Sequence, residues 1–138
     1  MADEREFGLQ ILSPETKLYD GKAQFVSAPG IMGELGVLAN HAPLLARLQL
    51  GEVFVRGPEG EATLVIGGGF IEVHHNQVVL LVEDAVHSSS LVLEEIQERV
   101  SRFAEELSSK REHERDVKME VALKRALIEL KVAQGRLG

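Results

Sequence analysis

The sequence has no cysteine and no tryptophan among its 138 residues. Without a thiol there is no disulfide scaffold, no thiolate nucleophile and no Cys-ligated zinc. Aromatic side chains are sparse, five Phe and one Tyr, too few for the aromatic platforms that a carbohydrate-binding module would present. Positive charge is in deficit: 15 Lys and Arg against 22 Asp and Glu, a net of -7. That balance argues against a nucleic-acid backbone or an anionic membrane surface as the main partner. Long apolar runs are missing too. Val78 to Val82 is typical, and a bilayer span takes roughly 20 residues. The acidic start, Met1-Ala2-Asp3-Glu4-Arg5-Glu6, leads into no such run and predicts no signal peptide. A chain of this length is one domain, or a small domain with an appendage, able to bury a real core.

What is present is unevenly spread. Residues 1–90 carry five basic and twelve acidic residues, and residues 91–138 carry ten of each. All four prolines and eleven of the thirteen glycines precede residue 91. Two regions of different architecture are expected, with a boundary at 87/88.

Residues 1–87 read as short strands. Apolar-rich runs at Phe7–Leu12, Ala23–Ala28, Leu44–Leu48, Val53–Val55, Ala62–Ile66, Phe70–Val73 and Val78–Val82 lie between turn residues. The turn signals are Ser13-Pro14-Glu15, Asp20-Gly21, Ala28-Pro29-Gly30, Gly57-Pro58-Glu59-Gly60 and His75-Asn76-Gln77. Strands this close, without helical patterns between them, predict an antiparallel β-sandwich or barrel.

Residues 88–138 read as two helices. Ser88, Ser89 and Ser90 offer N-caps, and Glu94 and Glu95 suit a first turn. Leu93, Ile96, Val100, Phe103 and Leu107 form one apolar stripe. Ser108 to Arg115 is a polar break. A second helix is expected from near Asp116 to about Gln134, with Gly135 as its stop. Its apolar positions, Val117, Val121, Leu123, Leu127, Ile128, Leu130 and Val132 with Ala122, Ala126 and Ala133, cover more than one stripe and ask for two partners. The class is therefore α+β: an antiparallel sandwich followed by an antiparallel helical hairpin.

Chemistry-bearing patterns are thin. His74 and His75 are neighbours on a strand end and are expected to point to opposite faces, where they do not easily chelate together. His87 and His113 sit in expected linkers and read as solvated or hydrogen-bonded. Neither His-Glu-x-x-His nor Gly-x-Ser-x-Gly occurs. Gly67-Gly68-Gly69 is followed by the strand-like Phe70-Ile71-Glu72-Val73 rather than a helix, so it reads as a bend between strands and not a phosphate loop. No catalytic, cofactor or metal residue is assigned.

The densest segment is residues 29–45, where tight-turn glycines, a lone acid and apolar residues surround His41. A loop carrying apolar residues is a candidate protein–protein surface. Its run Gly33-Glu34-Leu35-Gly36-Val37-Leu38 with His41-Ala42-Pro43-Leu44, together with Ser13-Pro14-Glu15, Tyr19-Asp20-Gly21, Pro29-Gly30 and Gly68-Gly69-Phe70-Ile71-Glu72-Val73, resembles the epsilon-subunit family of bacterial rotary ATP synthases. The likeness spans the chain.

The resemblance implies a flattened sandwich of about ten strands with a C-terminal hairpin, in a non-catalytic central-stalk subunit. It implies that the sandwich binds the gamma subunit and rests on the membrane ring of c subunits for proton-driven ATP synthesis. Gly33, Glu34 and Leu35 match the loop that meets the ring, and His41, Ala42 and Pro43 match the stretch near gamma. The hairpin is implied to be regulatory, obstructing ATP hydrolysis when extended toward the alpha and beta subunits of the catalytic head. Arg115, Lys118, Lys124, Arg125 and Lys131 are expected to face an acidic segment of the beta subunit. The implied location is peripheral, on the cytoplasmic face of the bacterial plasma membrane, held only through the complex. Some members bind ATP through Ile/Leu-Asp-x-x-Arg-Ala. Here Leu91 is followed by Val92 at the aspartate and Glu95 at the arginine, so no nucleotide cofactor is expected.

Overall fold

Inward side chains recur at every second residue in the first unit, Met1–His87. A computed structural model describes residues 4–110 and 117–137. Phe7, Leu9 and Ile11 of β1 (Phe7–Leu12) point into the core, and Val78, Leu80 and Val82 of β9 (Gln77–Val82) join them. Val53 and Val55 of β6 (Gly51–Gly57), Leu64 and Ile66 of β7 (Gly60–Ile66), and Ile71 and Val73 of β8 (Gly69–His74) complete most of it. Each fully buried aliphatic or phenyl side chain contributes roughly 1.5–3 kcal/mol of transfer free energy.

Among the described residues there are ten strands. Those not yet introduced are β2 (Lys17–Ala23), β3 (Phe25–Gly30), β4 (Gly33–Leu38), β5 (Leu44–Leu48) and β10 (Ala85–His87). They form one sheet in the order β10-β7-β6-β3-β5-β8-β9-β1-β2, with β4 paired to β3 off that path. Only β1–β9 is parallel; the other ladders are antiparallel. The sheet curls on itself as a sandwich. Tyr19 of the edge strand β2 reaches Gly57 of β6, where an added Cβ would lie 2.8 Å from its hydroxyl oxygen.

Three expectations are corrected here. Asp20-Gly21 lies inside β2, facing Gln10 and Leu9 of β1, because an edge strand with exposed residues carries no apolar alternation to mark it. Pro29-Gly30 likewise ends β3 rather than turning the chain. Residues 33–38, read as a loop, are strand β4: Gly36 opposes Ser27 and Leu35 opposes Ala28. Backbone pairing with β3 makes it a strand where its glycines and exposed positions suggest a loop. The turn is two residues, Ile31-Met32, closed by Gly33 at φ 129.

The expected turns at Ser13, Gly57–Gly60 and His75-Asn76 form, the last with positive φ at both residues. The triple glycine bends between β7 and β8, with Gly68 at φ 125 and Gly69 at φ 149.

The second unit, Ser88–Gly138, holds a one-turn 3-10 helix at Ser88–Ser90, then α1 (Leu93–Ser109) and α2 (Val117–Leu137). The serines do not cap α1. They form their own turn upstream, and the cap position is Val92, which has no side-chain cap bond. Ser108 and Ser109 close α1 by donating hydroxyl hydrogen bonds to the Glu105 and Glu106 carbonyls, at 3.0 and 2.9 Å. Ile96 and Leu107 of the predicted stripe are buried. Gly135 does not stop α2, which continues to Leu137. The expected cap Asp116 lies outside the described residues.

The Gly69 backbone conformation excludes a side chain, and a Cβ there would collide with the Leu81 carbonyl oxygen. Gly69→Ala should destabilise the sandwich by about 2–4 kcal/mol. Gly135, in open space within α2, behaves oppositely: Gly135→Ala should stabilise the hairpin by about 0.5–1 kcal/mol. Urea unfolding of both variants checks the pair. Burial, then the charge of Glu59, raises the Tyr19 pKa above its ordinary value near 10. A raised folded-state pKa means stability is complete below that ordinary value and falls as pH rises through the folded one. Tyr19→Phe should remove that alkaline loss in a pH series of melts.

Candidate functional site

The β3–β4 hairpin projects its turn into solvent. Met32 is 95% exposed and Ile31 half exposed. The turn is held from below by Ile31 N–H donating to the Arg47 carbonyl of β5 at 3.0 Å. A groove of about 340 Å³ runs between Ile31, Met32, Glu34, Leu45 and Arg47. Gly33 and Glu34 are exposed and Leu35 half-buried against the core, so the three residues assigned from sequence line one edge of this groove. Two apolar side chains at the tip, flanked by one carboxylate and one guanidinium, suit contact with another protein.

The second predicted cluster lies at the far end of β4. His41, Ala42 and Pro43 are all exposed. The His41 ring Nδ1 pairs with the Ala42 carbonyl oxygen at 2.7 Å, and its backbone N–H donates to Leu38. Asn76 in the β8–β9 turn fixes the segment: its Oδ1 accepts from the Asn40 N–H at 2.7 Å, and its Nδ2 donates to the Glu6 carbonyl at 3.0 Å. One amide thus ties the loop entering β5 to a hairpin turn and to the segment that leads into β1.

Leading from this segment is a surface that sequence reasoning missed. On β5, β8 and β9 the outward residues in register are Arg47, Phe70 and Leu81, with Leu45 and Glu72 in the next row. Leu45 is 71%, Phe70 48% and Leu81 54% exposed. The signal was available. In Leu44-Leu45, Phe70-Ile71 and Leu80-Leu81 a period-2 strand spends consecutive apolar residues, one of which must face outward.

The cationic residues of the hairpin divide. Lys118, Lys124 and Lys131 are exposed along α2. Arg125 is half-buried, and its Nε donates to Glu129 Oε1 at 3.2 Å. Arg115 lies outside the described residues. At the start of α1, Glu94 and Glu95 are exposed, so a phosphate arriving there would meet two carboxylates. Among the described residues, no group of three His, Asp or Glu could hold a metal ion, and no helix is long and apolar enough to cross a membrane.

Residues 6–88 match the family model of the ATP synthase delta/epsilon chain β-sandwich domain. The chain belongs to that family. It is 34% identical over 132 residues to an ATP synthase epsilon chain of Syntrophomonas wolfei, covering 95% of this chain and 96% of the relative. It is 41% identical to that of Moorella thermoacetica, covering 91% and 94%. A relative from Propionigenium modestum, 29% identical over 93% of each chain, is named sodium ion specific. Full-length similarity to epsilon chains makes this a non-catalytic ATP synthase subunit. A chain in the Euglena gracilis mitochondrial ATP synthase shares the fold with a TM-score of 0.80 at 21% identity, covering 97% of this chain and 82% of that one. One in the central stalk and c-ring of the Tetrahymena thermophila enzyme has a TM-score of 0.59 at 13% identity, covering 95% and 96%.

Asn76→Ala should cost about 2 kcal/mol, since it removes two hydrogen bonds and places alanine at φ 58. Hydrogen exchange should show the Asn40 amide accelerating while the β6 and β7 amides hold.

Proposed function

We propose that this chain is a rotor-stalk subunit that joins gamma to the c-ring, and that its hairpin restrains ATP hydrolysis. The observation that carries the reading is the pair of exposed apolar surfaces on an otherwise well-packed sandwich: the Ile31–Met32 tip and the Leu45, Phe70 and Leu81 strip. Contiguous apolar surface on a folded domain marks a partner face. The tip, with Gly33, Glu34 and Leu35, is assigned to the polar loops of the ring. The strip, continued by His41, Ala42 and Pro43, is assigned to gamma. A connector between two partners needs two such faces on a scaffold that does not yield between them, and a β-sandwich supplies that. Membrane association is then indirect, on the cytoplasmic face, through the ring.

Lys118, Lys124 and Lys131 suit an acidic segment of the beta subunit once the hairpin extends, with Arg125 joining them only after it leaves Glu129. Nucleotide does not regulate this hairpin through Leu91–Ile96, because Glu94 and Glu95 stand where phosphate would have to be bound.

Light scattering on the chain mixed with the gamma subunit of its own organism should give a one-to-one complex. Phe70→Glu with Leu81→Glu should weaken it about 100-fold, as loss of apolar anchors does. Separate elution with folded gamma would overturn the stalk reading. Removing residues 88–138 should raise ATP hydrolysis of the assembled enzyme, and titration calorimetry of the chain with ATP should give no heat of binding.

A further inference from the structure

Among the described residues one charged side chain is buried: Glu129, 6% exposed. It sits on the face of α2 that includes Ala122, Ala126 and Ala133, at spacings of four, three and four residues. These small side chains make that face shallow around Glu129. Two guanidinium groups converge on the carboxylate. Arg125, one turn earlier on α2, reaches Oε1 at 3.2 Å, and Arg99 of α1 reaches Oε2 at 3.4 Å. Each carboxylate oxygen therefore has its own cation, and the two cations come from different helices. The Arg99 arm also joins the first half of α1 to the second half of α2, which is what an antiparallel hairpin requires.

We propose that Glu129 is a charge latch that holds the helical hairpin closed. The physical reason is an asymmetry. A carboxylate buried in the hairpin is tolerated while both cations hold it; closed without the Arg99 arm it would keep its desolvation cost without the compensating attraction, and opening would relieve that cost. Separating α1 from α2 removes the Arg99 arm and exposes Glu129 to water. The two helices are thereby coupled as a two-state element: closed with the carboxylate shared, or open with it hydrated. The i,i+4 bond to Arg125 lies within α2 and survives opening, so Arg99 is the arm that senses separation. Opening also leaves Arg99 available to an outside carboxylate in competition with Glu129. This concerns the hairpin itself and stands whether or not the hairpin restrains hydrolysis.

The lack of cysteine makes the test direct. Glu95 and Gln134 are exposed at matching ends of α1 and α2, and Glu95→Cys with Gln134→Cys takes two spin labels on the full chain. Pulsed electron spin resonance should give one short distance. Glu129→Gln and Arg99→Gln should each raise the long-distance population at least about fivefold. If neither variant does so, apolar packing alone closes the hairpin and the latch is refuted. If only one of them does, the Arg99–Glu129 bond is not the closing element, and the proposal fails equally. Should Glu129→Gln lower helix content by circular dichroism, Arg99→Gln, which leaves α2 untouched, decides by itself.

Discussion

The parallel ladder between β1 and β9 is the contact on which the sandwich rests. Leu9 stands opposite Val78 and Ile11 opposite Leu80, so the first strand and one near the end of the unit share a single apolar layer. A parallel pair cannot be made by a tight turn. It requires the intervening residues to have laid down their own antiparallel ladders first or together with it. Once it is made, β1 is flanked on both sides, β2 becomes an edge, and Tyr19 is brought against Gly57 at the other end of the sheet. The glycine bend at 67–69 serves the same closure, since it lets β8 turn back between β5 and β9 without a side chain striking Leu81.

A core satisfied this way leaves the outer faces free for other work. Apolar residues on the outside of β5, β8 and β9 contribute nothing to the interior, because their neighbours in register point the same way. They are kept in place by backbone pairing alone, which is indifferent to what the outward side chain is. The Ile31–Met32 turn is similar: its position follows from the β3–β4 ladder and the bond to Arg47, and its side chains lie outside the core. Rigid support beneath and unassigned apolar surface above is the combination expected of a connector.

The hairpin works by a different balance. Its stripe on α1 is regular, but α2 leaves Val117, Val121 and Leu127 exposed and buries a carboxylate instead. Helix pairs held by wide apolar seams close strongly. This one adds a buried ionic cluster to Ile96, Leu107, Val132 and small alanines, so its closure depends on a few specific bonds as well as on area. That is a physical basis for a segment with more than one packing.

Much of this was legible in the residues. The period-2 runs predicted most of the core strands, the Leu93-to-Leu107 spacing predicted α1, and Gly67-Gly68-Gly69 predicted a bend, because each is a local consequence of which side chains must be hidden. What could not be read locally was decided by pairing. β2 and β4 carry exposed, glycine-containing sequence and become strands only because β1 and β3 offer them hydrogen-bonding partners. Glu129 was one of ten acidic residues in the last 48 until α1 brought Arg99 beside it. Composition and periodicity determine what each segment buries; only the tertiary structure decides what it is buried against, because burial is a property of one residue while contact belongs to two.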